Sequence, residues 1–92
     1  MEKSNNYYAE KVKRLFEANK ASLTEIDIEN INDYIAHGEC GVAYDLLCDQ
    51  LYEYGVPISQ DSYDDIIEVG KFLGYDEKQW TNLKKLVKSK SA

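Results

Sequence analysis

The stretch Ala43-Tyr44-Asp45-Leu46-Leu47-Cys48-Asp49-Gln50-Leu51-Tyr52-Glu53-Tyr54-Gly55 decides the fold. At about 100° per residue, Ala43, Tyr44, Leu47, Leu51 and Tyr54 gather on one side of a helix, while Asp45, Asp49, Tyr52 and Glu53 gather on the other. A strand would alternate its apolar residues at period two, and this stretch does not. The helix is predicted from about Glu39 to Tyr54, with Gly55 and Pro57 ending it.

The same pattern recurs on both sides. Towards the N-terminus, Ser22-Leu23-Thr24-Glu25 reads as a capping box opening a helix with the stripe Ile28, Ile31 and Ile35 and with Tyr34 on its flank. Gly38 stops it, because glycine takes the left-handed conformation that closes a helix. Before that, Tyr8, Val12, Leu15 and Phe16 form a stripe among Lys11, Lys13, Arg14 and Glu17, predicting a helix from about Ser4 to Asn19. Towards the C-terminus, Ser59 or Asp61 caps a helix with the inward stripe Tyr63, Ile66, Ile67, Gly70 and Leu73, and Gly74 stops it. Asp76 is expected to cap a fifth helix carrying Trp80, Leu83, Leu86 and Val87, whose Lys84, Lys85 and Lys88 would complement the negative end of the dipole. Residues 89–92 are expected to fray. The fold class is all-α: one domain over residues 1–92, a compact bundle of about five short helices.

A chain of 92 residues has a modest core, which a deep catalytic cavity would largely consume. No apolar run is long enough to span a membrane, and the N-terminal residues carry no export signal, so the expected location is the cytoplasm. Cys40 and Cys48 lie eight residues apart on one predicted helix, about 12 Å along its axis, too far for a disulfide. They read as free thiols of a reducing compartment; with the lone His37 they lack the paired spacing of a zinc site, so no metal is expected.

Charge is distributed in blocks. Residues 1–20 hold five cations and three acids, and residues 71–92 hold six cations and two acids. Between Ala21 and Gly70 stand twelve acids and no lysine or arginine. A one-signed block of fifty residues costs stability through self-repulsion, and a solvated face explains its polarity but leaves its single sign unexplained. The net charge of -6 argues against direct contact with nucleic acid, which needs clustered cations. A basic protein partner is expected instead. The candidate contact residues are Asp45, Asp49, Tyr52 and Glu53 on the third helix, Glu29 and Asp33 on the second, and Asp61, Asp64, Asp65 and Glu68 on the fourth. Tyr52 adds an amphipathic anchor of the kind enriched at binding hot spots. His37, one turn after Asp33, is placed either to pair with it or to sit against the helix dipole.

No phosphate-binding glycine loop, zinc-protease motif, nucleophile elbow or calcium loop occurs, so neither catalysis nor a cofactor is expected. Gln60-Asp61-Ser62-Tyr63, at the head of an acidic helix, has some likeness to the modified serine of acyl carrier proteins. Gln60 and Tyr63 depart from that pattern, where a glycine and an aliphatic residue are usual, and a capping role accounts for Ser62.

Ile31-Asn32-Asp33-Tyr34-Ile35-Ala36-His37-Gly38-Glu39, then Ala43, then Leu46-Leu47-Cys48-Asp49-Gln50-Leu51-Tyr52-Glu53-Tyr54 and Pro57-Ile58-Ser59, resembles the MafI-type immunity proteins. The resemblance runs from about Ile28 to Val87 and leaves the first helix outside it. Its less generic elements are the His-Gly-Glu turn and the Leu-Tyr-Glu-Tyr helix end. It implies a protein that neutralises the C-terminal toxin domain of a large secreted bacterial protein, as in contact-dependent growth inhibition. Several toxins opposed by such proteins are RNases, some of the EndoU type, and these are commonly basic. The family offers no catalytic residues to carry over.

Overall fold

A computed structural model describes residues 5–88, so the predicted first residue of the N-terminal helix, Ser4, and the tail 89–92 lie outside the described residues. Among the described residues, five α-helices follow one another: α1 (Asn5–Asn19), α2 (Glu25–Ala36), α3 (Cys40–Tyr54), α4 (Gln60–Phe72) and the short α5 (Lys78–Thr81). The class is all-α. α3 is the central element, with α2 packed along it and α1 laid against both α3 and α4.

The apolar stripes meet as their spacing requires. Val12, Leu15 and Phe16 of α1, Ile31 of α2, Ala43, Tyr44, Leu47 and Leu51 of α3, and Ile66 and Val69 of α4 are buried in one core. Tyr44 lies at its centre, where its hydroxyl donates to the Ile66 carbonyl at 2.7 Å and so is itself paired. Gly38, Gly55 and Gly74 all take positive φ, at 74°, 60° and 78°, and end their helices as expected. Ser59 caps α4 by accepting from the Ser62 amide at 3.0 Å.

Two boundaries differ from expectation. The capping box that opens α2 uses Thr24 and Asp27: the Thr24 hydroxyl accepts from the Asp27 amide at 3.1 Å, and the Asp27 carboxylate accepts from the Thr24 amide at 3.3 Å. Ser22 instead ends a 3₁₀ turn, Lys20–Ser22, that continues from α1. Asp27 decides the matter, because its carboxylate also accepts from Tyr54 Oη at 2.6 Å and Gln50 Nε2 at 2.9 Å on α3, which a box at Ser22 would not engage.

The fifth helix is broken. α5 has four residues, a 3₁₀ turn occupies Lys84–Leu86, and Val87 forms a single parallel bridge with Ile58. The bridge is closed by Ile58 N donating to the Leu86 carbonyl at 2.9 Å and Lys88 N donating to the Ile58 carbonyl at 2.8 Å. The reason is periodicity. Trp80, Leu83 and Leu86 repeat every three residues, which aligns them in a 3₁₀ ladder and skews them in an α-helix. Leu83 N donates to Trp80 O and Leu86 N to Leu83 O, both at 2.9 Å, as that ladder demands. Lys84, Lys85 and Lys88 therefore do not terminate an α-helix.

Trp80 is seated on Gly70 of α4. A Cβ at Gly70 would stand 2.5 Å from the Trp80 ring and 2.8 Å from the Tyr44 hydroxyl. Both neighbours are rigid or hydrogen-bonded, so neither yields cheaply. Gly70→Ala is expected to destabilise the protein by about 1–3 kcal/mol, as overpacking does, despite the better helix propensity of alanine. Thermal and urea denaturation measure this, and an unchanged midpoint would show the contact to be looser than described.

Candidate functional site

The acidic block divides according to what each carboxylate meets. On α4, Asp65 is buried, its side chain 8% exposed, because it lies on the Ser62–Asp65–Val69 edge that faces α1. Arg14 grips it with two bonds, Nε to Oδ2 at 3.0 Å and Nη2 to Oδ1 at 2.7 Å, and Lys11 Nζ adds a third at 3.2 Å. Glu68, one turn on, takes Lys11 Nζ at 3.4 Å and the Tyr7 hydroxyl at 2.8 Å. Partial burial works against the charge of Lys11, yet Asp65 and then Tyr7 hold its ammonium above the ordinary lysine value. The expected outward acidic face of α4 is corrected accordingly: Asp65 is withdrawn from it, Glu68 is partly neutralised, and Asp61 and Asp64 remain exposed. Asp64 accepts from Gln60 Nε2 at 2.8 Å.

The α3 ridge is also changed. Asp45, expected opposite the core, is half-buried, because the chain after Gly74 folds over it and the Tyr75 hydroxyl donates to its Oδ2 at 3.0 Å. Its Oδ1 is buried with no hydrogen-bond partner among the described residues. Asp49, Tyr52 and Glu53 line one wall of a groove of about 390 Å³ whose other wall carries Lys78, Gln79, Asn82 and Leu83. Asp49 is exposed by area, yet it sits where surrounding water is reduced. That loss, and then Asp45 one turn earlier, push its carboxyl above the usual value. Tyr52 is exposed, with Lys85 Nζ 5.0 Å from its ring centroid, a cation–π contact that joins the C-terminal segment to α3.

On α2, Glu29 and Asp33 point to solvent. His37 does not meet the Asp33 carboxylate. Its Nδ1 lies 2.7 Å from the Asp33 carbonyl oxygen, which only accepts, so Nδ1 carries the proton. Sequence reasoning missed two residues here. Ile26 falls off the Ile28–Ile31–Ile35 stripe and is 72% exposed, a position readable from its spacing. Asp27 is buried as the tie between α2 and α3, and no sequence signal separates it from its exposed neighbours. Its hydrogen bonds from Gln50, Tyr54 and Thr24 hold its carboxyl below the usual range despite burial.

Ser62 is buried, with its Oγ 3.4 Å from Asn19 Nδ2 of α1. A group attached there would have to part α1 from α4. The thiols remain free, and burial pushes Cys48 up to about 12. Among the described residues, no three His, Cys, Asp or Glu side chains are grouped to hold a metal ion, and no helix is long and apolar enough to cross a membrane.

The chain matches no protein-family model, no curated protein and no solved structure.

The Asp27 ties carry a pH signature. A carboxyl held below its unfolded value adds stability that is present above the unfolded pKa and is lost as pH falls through the folded one. Asp27→Asn is expected to lower the melting temperature at pH 7 and to differ less from the wild type near pH 3. Melts across that range measure it, and an equal deficit at both ends would refute the electrostatic origin.

Proposed function

We propose that this chain is an immunity protein that binds a cognate bacterial toxin domain, a basic nuclease, and holds it inactive. It acts in the cytoplasm, by binding and not by catalysis, needs no cofactor, and touches neither nucleic acid nor membrane itself. The observation that carries this reading is the set of exposed carboxylates left without ion pairs after folding: among the described residues, Glu29, Asp33, Asp49, Glu53, Asp61 and Asp64 engage no lysine or arginine within 4.0 Å. The resemblance of residues 28–87 to MafI-type immunity proteins supports it from a separate direction.

Such a surface offers carboxylates where a nuclease binds phosphates. Opposite charge speeds the encounter and rejects wrong partners, while desolvated apolar contacts set the residence time. The acids do not need catalytic geometry for this role. They need only to remain unpaired in the free protein and to sit on rigid helices, so that little conformational entropy is lost on binding.

Co-expression tests the proposal. The domain to use is the C-terminal domain of whatever protein is encoded immediately upstream, which this proposal expects to be a large exported protein. Cells making that domain alone are expected to stop growing, and cells making both proteins are expected to grow. The purified pair should associate more slowly as salt rises from about 0.05 to 0.5 M, because the Debye length then shrinks below the reach of surface charges. Growth arrest undiminished by the chain would overturn the assignment.

A further inference from the structure

We infer that the outer face of α2, centred on Ile26, is where the partner docks, and that the partner presents an apolar slot rimmed by lysine or arginine. This rests on the proposed binding function and names its surface. Among the described residues, five large hydrophobic side chains are exposed, and Ile26 is the most exposed of them. Three of the others are already engaged within the molecule. Phe72 stacks on Tyr8 at 3.8 Å, Tyr52 lies under Lys85, and Tyr54 is tethered by its hydroxyl to Asp27. Ile26 has no such engagement, and it is not among the side chains packed against the core.

One exposed isoleucine is ordinary. What sets Ile26 apart is the company it keeps. Helix geometry places Ile26, Glu29 and Asp33 within about 60° of arc, on the side of α2 opposite Ile31. Among the described residues, neither Glu29 nor Asp33 has an ion pair, and neither does Glu25 beside them. On α4, Lys11 and Arg14 meet Asp65 and Glu68 and leave Asp61 and Asp64 unpaired, and beside α3 the groove brings Lys78. Unspent charge and unspent apolar surface therefore coincide on one face.

That coincidence selects the occupant. An anionic membrane or a nucleic acid would be repelled, and a second copy would set like charges against each other. An uncharged apolar partner would desolvate carboxylates with no return. A cationic protein surface with a slot for one aliphatic side chain satisfies both features. The face is also preorganised, since the Thr24–Asp27 box and the bonds from Tyr54 and Gln50 fix the end of α2 that bears Ile26.

The experiment titrates the purified full chain with the upstream-encoded C-terminal domain. Ile26→Ala is expected to weaken binding about tenfold or more, mainly through faster dissociation. The double variant Glu29→Lys/Asp33→Lys should slow association and flatten its salt dependence, whereas the same change of charge at the exposed Glu10 and Glu17 of α1, Glu10→Lys/Glu17→Lys, should change affinity less than about threefold. Circular dichroism melts confirm that each variant is folded. Amide exchange on the wild-type complex should show α2 protected, a readout that needs no substitution. If the wild type binds but the α2 variants bind equally well and α2 stays unprotected, the docking face is wrong while the immunity reading stands. If the wild type neither binds nor protects cells, both fall together.

Discussion

The rest of the structure depends on the grip of Arg14 and Lys11 on Asp65. Fifty residues carrying twelve acids and no lysine or arginine cannot neutralise themselves, so the helices built from them need cations from elsewhere in the chain. α1 supplies them. Its apolar stripe of Val12, Leu15 and Phe16 enters the core, and Lys11 and Arg14, next to that stripe, reach across to α4. The Asp65 carboxylate accepts a forked pair from the guanidinium and a third bond from the ammonium, which compensates for its burial. Arg14 itself stays largely in water, so this pair orients α1 on α4 more than it adds net stability.

Asp27 and Asp45 follow the same rule with neutral partners. Asp27 joins α2 to α3 through Tyr54 and Gln50, and Asp45 joins α3 to the segment after α4 through Tyr75. Each inward acid thus stitches a different pair of elements together. The block of one sign is less wasteful than its charge count implies, because part of it has become internal wiring. Repulsion that would weigh on a uniform surface is confined to the outward acids.

How much of this was legible follows from what a sequence encodes locally. α1 to α4 could be read because each carries an apolar stripe and glycine stops follow α2, α3 and α4 in the expected conformation, although the cap of α2 fell at Thr24 and not at Ser22. The fifth helix could not be read the same way, since Trp80, Leu83 and Leu86 fit both helical periods approximately and only the ladder of bonds separates them. Among the candidate contact residues, exposure was legible for Glu29, Asp33, Asp49 and Glu53, which lie well off their stripes. Asp65 and Asp45 were misplaced because their partners, Arg14 and Tyr75, are 51 and 30 residues away. A helical wheel shows which side of its own helix a residue faces, and it is silent about which other helix arrives there.

The consequence for function is a division of labour written in burial. Acids that face another element are matched and hold the fold; acids that face water on α2 and α3 are unmatched and cost the free protein something through repulsion along their helices. In an isolated domain nothing rewards that cost, since a lysine at Glu29 or Asp33 would add a favourable pair one turn away. The cationic partner proposed above would change the balance, because each carboxylate that repels its neighbour in the free state would attract across the interface. The surface that looks least stable alone is then the one on which association gains most, and it is held on helices whose positions the buried acids fix.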